Sequence, residues 1–176
     1  MKKLQQLLIK KATERATALQ NINKGHPAIV LSTWFGCGYM FPAPGFWGTL
    51  GSMPLGIVLL AMTSKTVLLA SVVLIFFIGL WASKEFEKQS QTHDSSMIVI
   101  DETAGILLTL LFASTNAVSI LLAFILFRIF DSAKPWPISW FDKKIGGAFG
   151  VMIDDIIAGI MAGLCLLGLR LYAGIG

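Results

Sequence analysis

The sequence predicts an all-α integral membrane protein: a bundle of helical hairpins, preceded by an N-terminal amphipathic helix in the membrane interface. First, 55% of the 176 residues are apolar and only 14% are charged, with a mean hydropathy of +0.74. A soluble domain usually carries about 25% charged residues, and a chain of this size has too little interior to hide so much apolar surface. Second, there are three long apolar runs, at 54–81, 103–130 and 156–176. Third, most of the charged residues lie between these apolar runs or at their edges.

The N-terminal segment, residues 1–24, is basic and amphipathic. Leucines and alanines recur there at intervals of three or four residues with lysines between them, as in a helix that lies on a membrane. The segment contains six Lys and Arg residues and one acid, Glu14. A segment with this excess of positive charge is attracted to anionic lipid headgroups. No basic groove with interleaved aromatic residues follows, so we expect no nucleic-acid partner. Residues 25–176 are predicted to form a single helical membrane domain.

Each of the first two apolar runs is predicted to be a hairpin. Both span 28 residues, although about 20 are enough to cross a bilayer. Polar breaks interrupt them at 63–65 and 114–116. Lys65 at the bilayer centre would cost about 2.5–3.5 kcal/mol, so a turn at each break is preferred to one long tilted helix.

Turns at these breaks place twelve of the fourteen Lys and Arg residues at one end of the bundle. Only Lys65 and Arg170 lie at the other end. An excess of cations on one side is typical of the cytoplasmic face of a membrane protein. We therefore expect a multi-pass protein with this end in the cytoplasm.

Acidic residues mark the same end. Carboxylates beside hydrocarbon are costly unless a cation or donor satisfies them, so they are functional candidates. Hard oxygen ligands of this kind suit Mg²⁺, which binds through carboxylates together with substrate phosphate. Five acids at the edges of the apolar runs are the predicted Mg²⁺ ligands: Asp101, Glu102, Asp131, Asp154 and Asp155.

Structural explanations of these acids compete with the metal site. The pairs Asp101/Glu102 and Asp154/Asp155 could each offset the positive end of a helix dipole in its first turn. Asp131 could form a purely structural ion pair with Arg128, three residues earlier.

Other residues at this end suit a phosphate ligand. Gly48, Thr49 and Ser52 belong to a glycine-rich stretch that leads into a helix, whose free N–H groups favour anions. The Arg128 guanidinium can bind a phosphate with two parallel hydrogen bonds. Pro135 disfavours a helical conformation at the preceding residue, Lys134, so the Lys134 side chain could reach across a site. Gly48, Thr49, Ser52, Arg128 and Lys134 are the predicted phosphate-binding residues.

Missing motifs narrow the reaction class. The two histidines lie outside the acidic group, neither cysteine has an arginine six residues later, and no D-x-D motif occurs. These absences disfavour histidine, cysteine and D-x-D aspartate nucleophiles. A phosphohydrolase that uses a metal held by carboxylates remains.

The strings FGCGYMFPAPGFWGTLGSMP, VIDETAG, FRIFDSAKPWPISWFDKKIGG and GVMIDDIIAG closely resemble the phosphatidylglycerophosphatase A family of bacterial membrane enzymes, over residues 35–163. The resemblance implies a Mg²⁺-dependent lipid phosphatase of the cytoplasmic (inner) membrane. Such an enzyme hydrolyses the terminal phosphate monoester of phosphatidylglycerophosphate, its phospholipid substrate, to give phosphatidylglycerol. In one departure, Phe46 stands where the family's loop typically has Thr, so a hydroxyl is lost.

On this interpretation Asp154, Asp155 and Asp131 are catalytic, with Asp154 or Asp155 as the base. Attack by water and attack by an aspartate both remain open, as does the oligomeric state. A non-catalytic lipid-binding scaffold and a cation-transport protein are the alternatives. Transport would call for acids in mid-span, whereas these acids lie at the edges of the runs.

Overall fold

The computed structural model describes residue 13 and residues 15–92 and 95–174, and this part of the chain is helical, without strands. Helix α1 covers residues 15–21; residues 1–12 and 14 of the predicted N-terminal amphipathic segment lie outside the described residues. Three helices are long and apolar enough to cross a membrane. The predicted all-α membrane fold is therefore confirmed.

The helices follow the predicted hairpins. The helices are α2 Pro27–Ser32, α3 Pro44–Met62, α4 Lys65–Ser90, α5 Ile100–Leu110, α6 Ala117–Ala133, α7 Ile138–Lys144 and α8 Gly147–Ala173. A 3-10 turn at Cys37–Tyr39 separates α2 from α3, and the two predicted hairpins are α3–α4 and α5–α6. The helices that could span a membrane are α3, α4 and α8.

The polar breaks form turns because their side chains cap helices. Ser64 accepts a hydrogen bond from the Val67 N–H at the start of α4. Asn116 accepts one from the Ser119 N–H at 2.7 Å at the start of α6. Such caps satisfy N–H groups that have no partner inside the helix. Both predicted turns are confirmed.

Helix α5 lies at the centre of the bundle. All eleven of its residues are buried, and it packs against α3, α4 and α8. Eleven residues rise only about 16 Å, so α5 is surrounded by protein rather than spanning a bilayer alone. The Val99 N–H donates to the Ser32 carbonyl of α2 at 2.8 Å, which ties down the end of α5 that carries Asp101 and Glu102.

A close contact between two glycines sets α5 against α8. A Cβ added to Gly159 would lie 2.6 Å from the Gly105 carbonyl oxygen, so only glycine allows this approach. Both helices run away from the same end of the bundle. Asp101 and Asp155 each precede their glycine by four residues, or about one helical turn, so the contact brings the two carboxylates together.

Helix α8 begins earlier than the apolar run at 156–176 indicated. It starts at Gly147 and has no acid in its first turn. Asp154 and Asp155 lie about two turns inside the helix. The alternative in which this pair offsets the helix dipole was therefore wrong, because the dipole effect fades beyond the first turn.

Candidate active site

A cavity of about 330 Å³ lies where α5, α6 and α8 meet at one end of the bundle. Segments far apart in the sequence contribute its charged lining. These residues are Asp101, Glu102, Arg128, Asp131, Lys134, Asp142, Asp154 and Asp155. All five predicted metal ligands and both predicted phosphate-binding cations therefore line one cavity.

Three of the acids form the centre of the site. Asp101, Glu102 and Asp155 each offer a carboxylate oxygen within 4.8 Å of the others. Their residues are only 8%, 9% and 3% exposed. None of the ion pairs found among the described residues involves these three acids. This three-acid cluster therefore places like charges together in a buried region.

A bound cation would stabilise such a cluster when its carboxylates are ionised. Buried ionised carboxylates are strongly destabilising unless a charge or donors satisfy them. Oxygens of Asp101, Glu102, Asp154 and Asp155 are buried without a hydrogen-bond partner among the described residues. Oxygen-only ligands at this spacing fit a hard divalent cation, so the three-acid cluster can hold a metal ion.

The other two predicted metal ligands, Asp131 and Asp154, form ion pairs with basic side chains. Arg128 Nη1 lies 2.8 Å from Asp131 Oδ2, which is the ion pair that the spacing of three residues predicted. Lys134 Nζ contacts a carboxylate oxygen of Asp154 and one of Asp142. Asp131 and Asp154 thus border the three-acid cluster, with their charges balanced by side chains.

Lys134 is held by geometry as well as charge. It follows the last residue of α6, with φ of 40° and ψ of 56°, a left-handed conformation that is uncommon outside glycine. Burial alone would lower the pKa of Lys134, but the hydrogen bonds and charges of Asp142 and Asp154 outweigh it and raise that pKa above its usual value. The ammonium therefore stays charged at neutral pH.

Arg128 is positioned by the glycine-rich stretch. Its Nη1 donates to Thr49 Oγ1 at 3.1 Å, and the Thr49 hydroxyl donates to the Gly45 carbonyl at 2.8 Å. A guanidinium has five N–H donors, so these contacts leave donors for a ligand in the cavity. Thr49 thus acts on the site through Arg128.

Gly48 and Ser52 lie away from the cavity lining. A Cβ on Gly48 would lie 2.5 Å from Val99 Cβ, so this glycine allows α3 to approach the start of α5. The Ser52 hydroxyl bonds to Thr103 Oγ1 at 2.6 Å and to the Gly48 carbonyl. The structure gives both residues packing contacts between α3 and α5.

Asp142 and Gly45 also line the cavity, although neither is among the predicted site residues. Asp142 pairs with Lys134, and its place in the same FRIFDSAKPWPISWFDKK string was the available signal. A Cβ on Gly45 would lie 2.3 Å from Glu102 Oε1 and 3.3 Å from Arg128 Nη1, so this glycine forms part of the cavity wall.

Comparison with known proteins gives a consistent result. Residues 30–170 match the family model for phosphatidylglycerophosphatase A. The chain is 36% identical over 157 residues to phosphatidylglycerophosphatase A of Haemophilus influenzae, covering 88% of this chain and 95% of that protein. It is 35% identical over 146 residues to the Escherichia coli protein of the same name, covering 82% and 84%.

A third relative carries a different name. A Bacteroides thetaiotaomicron protein named "Putative phosphatidylinositol-3-phosphatase" is 37% identical over 139 residues, covering 75% of this chain and 86% of that protein. No solved structure matches the chain. The family model covers most of the chain, and both proteins named phosphatidylglycerophosphatase A match over most of their length. The chain therefore belongs to the phosphatidylglycerophosphatase A family, whose members are phosphoric monoester hydrolases.

Proposed function

We propose that this protein is a Mg²⁺-dependent lipid phosphatase that hydrolyses the terminal phosphate monoester of phosphatidylglycerophosphate to give phosphatidylglycerol. The observation that carries the proposal is the three-acid cluster of Asp101, Glu102 and Asp155, which shares one cavity with Arg128 and Lys134. The three acids have no ion-pair partner among the described residues, so they suit a metal ion. The neighbouring Arg128 and Lys134 have N–H donors that their ion pairs do not use, so they suit a phosphate bound beside the metal.

In this proposal the three-acid cluster holds Mg²⁺. When bound, the ion would neutralise charge on the phosphate oxygens and help to orient the attacking water. Arg128 and Lys134 bind the remaining phosphate oxygens. Each keeps at least one N–H donor beyond its ion pairs with Asp131, Asp142 and Asp154, which hold the two cations in place.

Asp154 is the proposed general base. One of its oxygens pairs with Lys134, and the other, Oδ1, is buried in the described structure without a partner. The free oxygen accepts a proton as water attacks phosphorus. The bond between phosphorus and the glycerol oxygen then breaks, and this proton is available to the departing alkoxide. Asp131 orients Arg128 through their ion pair.

We further propose that the cavity faces the cytoplasm of a bacterial inner membrane. Lys84 and Lys88 lie in the last two turns of α4, and Lys144 is the last residue of α7, whose Asp142 lines the cavity. This group of cations supports the orientation. The C-terminus of α8 would then lie on the periplasmic side. Alkaline phosphatase fused to the C-terminus should be active, and an inactive fusion would contradict the orientation.

The decisive experiment measures phosphate release by the purified full chain in detergent. The substrates are phosphatidylglycerophosphate, phosphatidylinositol 3-phosphate and phosphatidic acid, each with Mg²⁺ or with EDTA. We expect the first to be the best substrate and EDTA to abolish its turnover. A folded protein that releases phosphate from none of them would favour the scaffold alternative instead.

The matched control variant lies outside the cavity. Asp155→Asn should abolish both turnover and the rise in unfolding temperature that Mg²⁺ produces in the wild type. Glu85→Gln removes a carboxylate that pairs with Lys88 at 3.7 Å on α4, and it should leave both measurements unchanged. Equal behaviour of the two variants would remove Asp155 from the metal site.

A further inference from the structure

A second concavity adjoins the active-site cavity on the outer surface of α3 and α6. It is a shallow groove of about 570 Å³, lined by Phe46 of α3 and by Phe124, Ile125, Arg128, Ile129 and Ala133 of α6, among others. We call it the α3–α6 groove. Five of its seven lining residues are apolar, the other two being Arg128 and Ser132, and Ile125 and Ile129 are 42% and 54% exposed. An exposed apolar concavity of this kind is suited to binding a protein, a membrane or an apolar ligand.

We propose that the α3–α6 groove binds an acyl chain of the phospholipid substrate while the phosphate occupies the acidic cavity. The inference rests on the proposed function, because it assigns the apolar part of the same substrate. It also gives the lipid a direction of approach, from the bilayer between α3 and α6.

Continuity between the two concavities is the first argument. Arg128 lines both of them. The neighbouring residues Gly45 and Phe46 divide in the same way, because Gly45 lines the cavity and Phe46 lines the groove. A ligand with an anionic head and an apolar tail could therefore contact Arg128 at its phosphate and α6 along its chain.

The direction of the groove is the second argument. Its lining residues on α6 extend from Phe124 to Ala133, which corresponds to about 14 Å along the helix axis. Ala133 is at the cavity end, immediately before Lys134. The groove thus starts beside the phosphate-binding cations and runs along α6 toward the other side of the membrane, as an extended acyl chain would.

Phe46 closes one side of the groove. Its ring packs edge-to-face on Phe124, with centroids 5.6 Å apart and an interplanar angle of 86°, and it remains 39% exposed. The contact joins α3 to α6 and presents an aromatic face to the groove. Phe46 thus supplies apolar surface for a chain.

A second apolar groove provides an internal comparison. It lies between α4 and α8, is lined by Val73, Phe77, Ile156 and Ile160 among others, and shares no lining residue with the acidic cavity. Lipids of the bilayer could occupy either groove. Of these two grooves, only the α3–α6 groove includes a cationic side chain of the proposed phosphate site, Arg128. Changes in the α3–α6 groove should therefore alter the preference for acyl-chain length, and changes in the α4–α8 groove should not.

The test fills each groove with the same substitution. Ile125 and Ile160 are both 42% exposed, so Ile125→Trp and Ile160→Trp are matched variants. Each full-length protein is reconstituted in lipid nanodiscs, and kcat/KM is measured for dioleoyl and dihexanoyl phosphatidylglycerophosphate. We expect Ile125→Trp to lower the ratio of dioleoyl to dihexanoyl kcat/KM at least fivefold, mainly through KM, and Ile160→Trp to leave it unchanged.

Equal ratios in the two variants and the wild type would overturn the acyl-chain assignment while leaving the phosphatase proposal intact. Failure of the wild type to hydrolyse either lipid would overturn the phosphatase proposal and this inference with it. If Ile125→Trp does not fold, Ile129→Trp takes its place.

Photolabelling of the wild type gives an independent readout. Phosphatidylglycerophosphate with a diazirine midway along one acyl chain should label the α6 peptide that contains Ile125. Equal or preferential labelling of the α8 peptide that contains Ile160 would contradict the proposal.

Discussion

Thr49 and Arg128, 79 residues apart in the chain, are joined by a hydrogen bond of 3.1 Å from the guanidinium to the threonine hydroxyl. The same nitrogen lies 2.8 Å from Asp131. The guanidinium is therefore fixed between α3 and its own helix. This arrangement restricts Arg128 to one direction, toward the cavity that it shares with the three-acid cluster.

We predict that Thr49→Val weakens catalysis by misplacing Arg128. A hydrogen bond to a charged group contributes about 1.5–3 kcal/mol, so kcat/KM should fall by about tenfold or more. Thr49→Ser retains the hydroxyl and should restore most of the activity, which a loss of packing alone would not explain. Steady-state kinetics on phosphatidylglycerophosphate check this, and a Ser variant as impaired as the Val variant would argue against the positioning role.

Lys134→Met should lower turnover about 100-fold or more, because Lys134 is proposed to stabilise charge on the transferred phosphate. The substitution also leaves Asp154, which is only 4% exposed, without its cation. Lys88→Met is the control, because the Lys88 side chain is 78% exposed and belongs to a surface ion pair. Phosphate release by both variants is the measurement; similar residual activity would remove Lys134 from the site.

The hairpins of this fold were predictable because the residues that interrupt each apolar run are also good helix caps. Ser64 and Asn116 both announce a turn and form the first hydrogen bond of the next helix. The start of α8 was not predictable in this way. Asp154 and Asp155 break the apolar run in the sequence, although in the structure they lie inside a continuous helix.

Of the charged residues that line the cavity, all but Asp142 were predicted from the sequence, but their internal arrangement was not. Of Asp154 and Asp155, only Asp155 joins the three-acid cluster, whereas Asp154 pairs with Lys134. Which one does so depends on the rotation of α8, which the Gly105–Gly159 contact sets. The pairing of Lys134 with Asp142 depends in turn on the path of the chain through residues 135–137.

Gly45→Ala should reduce activity on the order of 100-fold, the effect of a displacement of about 1 Å in an active site. The added Cβ would lie 2.3 Å from Glu102 Oε1, so Glu102 or Arg128 must move. Local helix propensity would favour alanine at this position in α3, so a loss of activity would come from the cavity. The control is Gly168→Ala, where a Cβ meets nothing within 4 Å and activity should not change.

Gly159→Ala tests whether the contact between α5 and α8 assembles the metal site. Its Cβ would meet the Gly105 carbonyl oxygen at 2.6 Å, and backbone cannot give way as a flexible side chain does, so the two helices must separate. Overpacking of this kind costs about 1–3 kcal/mol, which should lower the unfolding temperature in detergent. Because Asp101 and Asp155 lie one turn from the contact, the separation should also shrink the stabilisation that Mg²⁺ produces.

Two measurements distinguish these effects. Thermal unfolding without Mg²⁺ reports the packing cost, and the further rise in unfolding temperature on adding Mg²⁺ reports the three-acid cluster. We expect both to fall in Gly159→Ala and neither to fall in Gly168→Ala. A variant that loses stability but keeps the full Mg²⁺-dependent rise would show that the cluster forms without this contact, because the two carboxylates would still reach a common ion after the helices have moved apart.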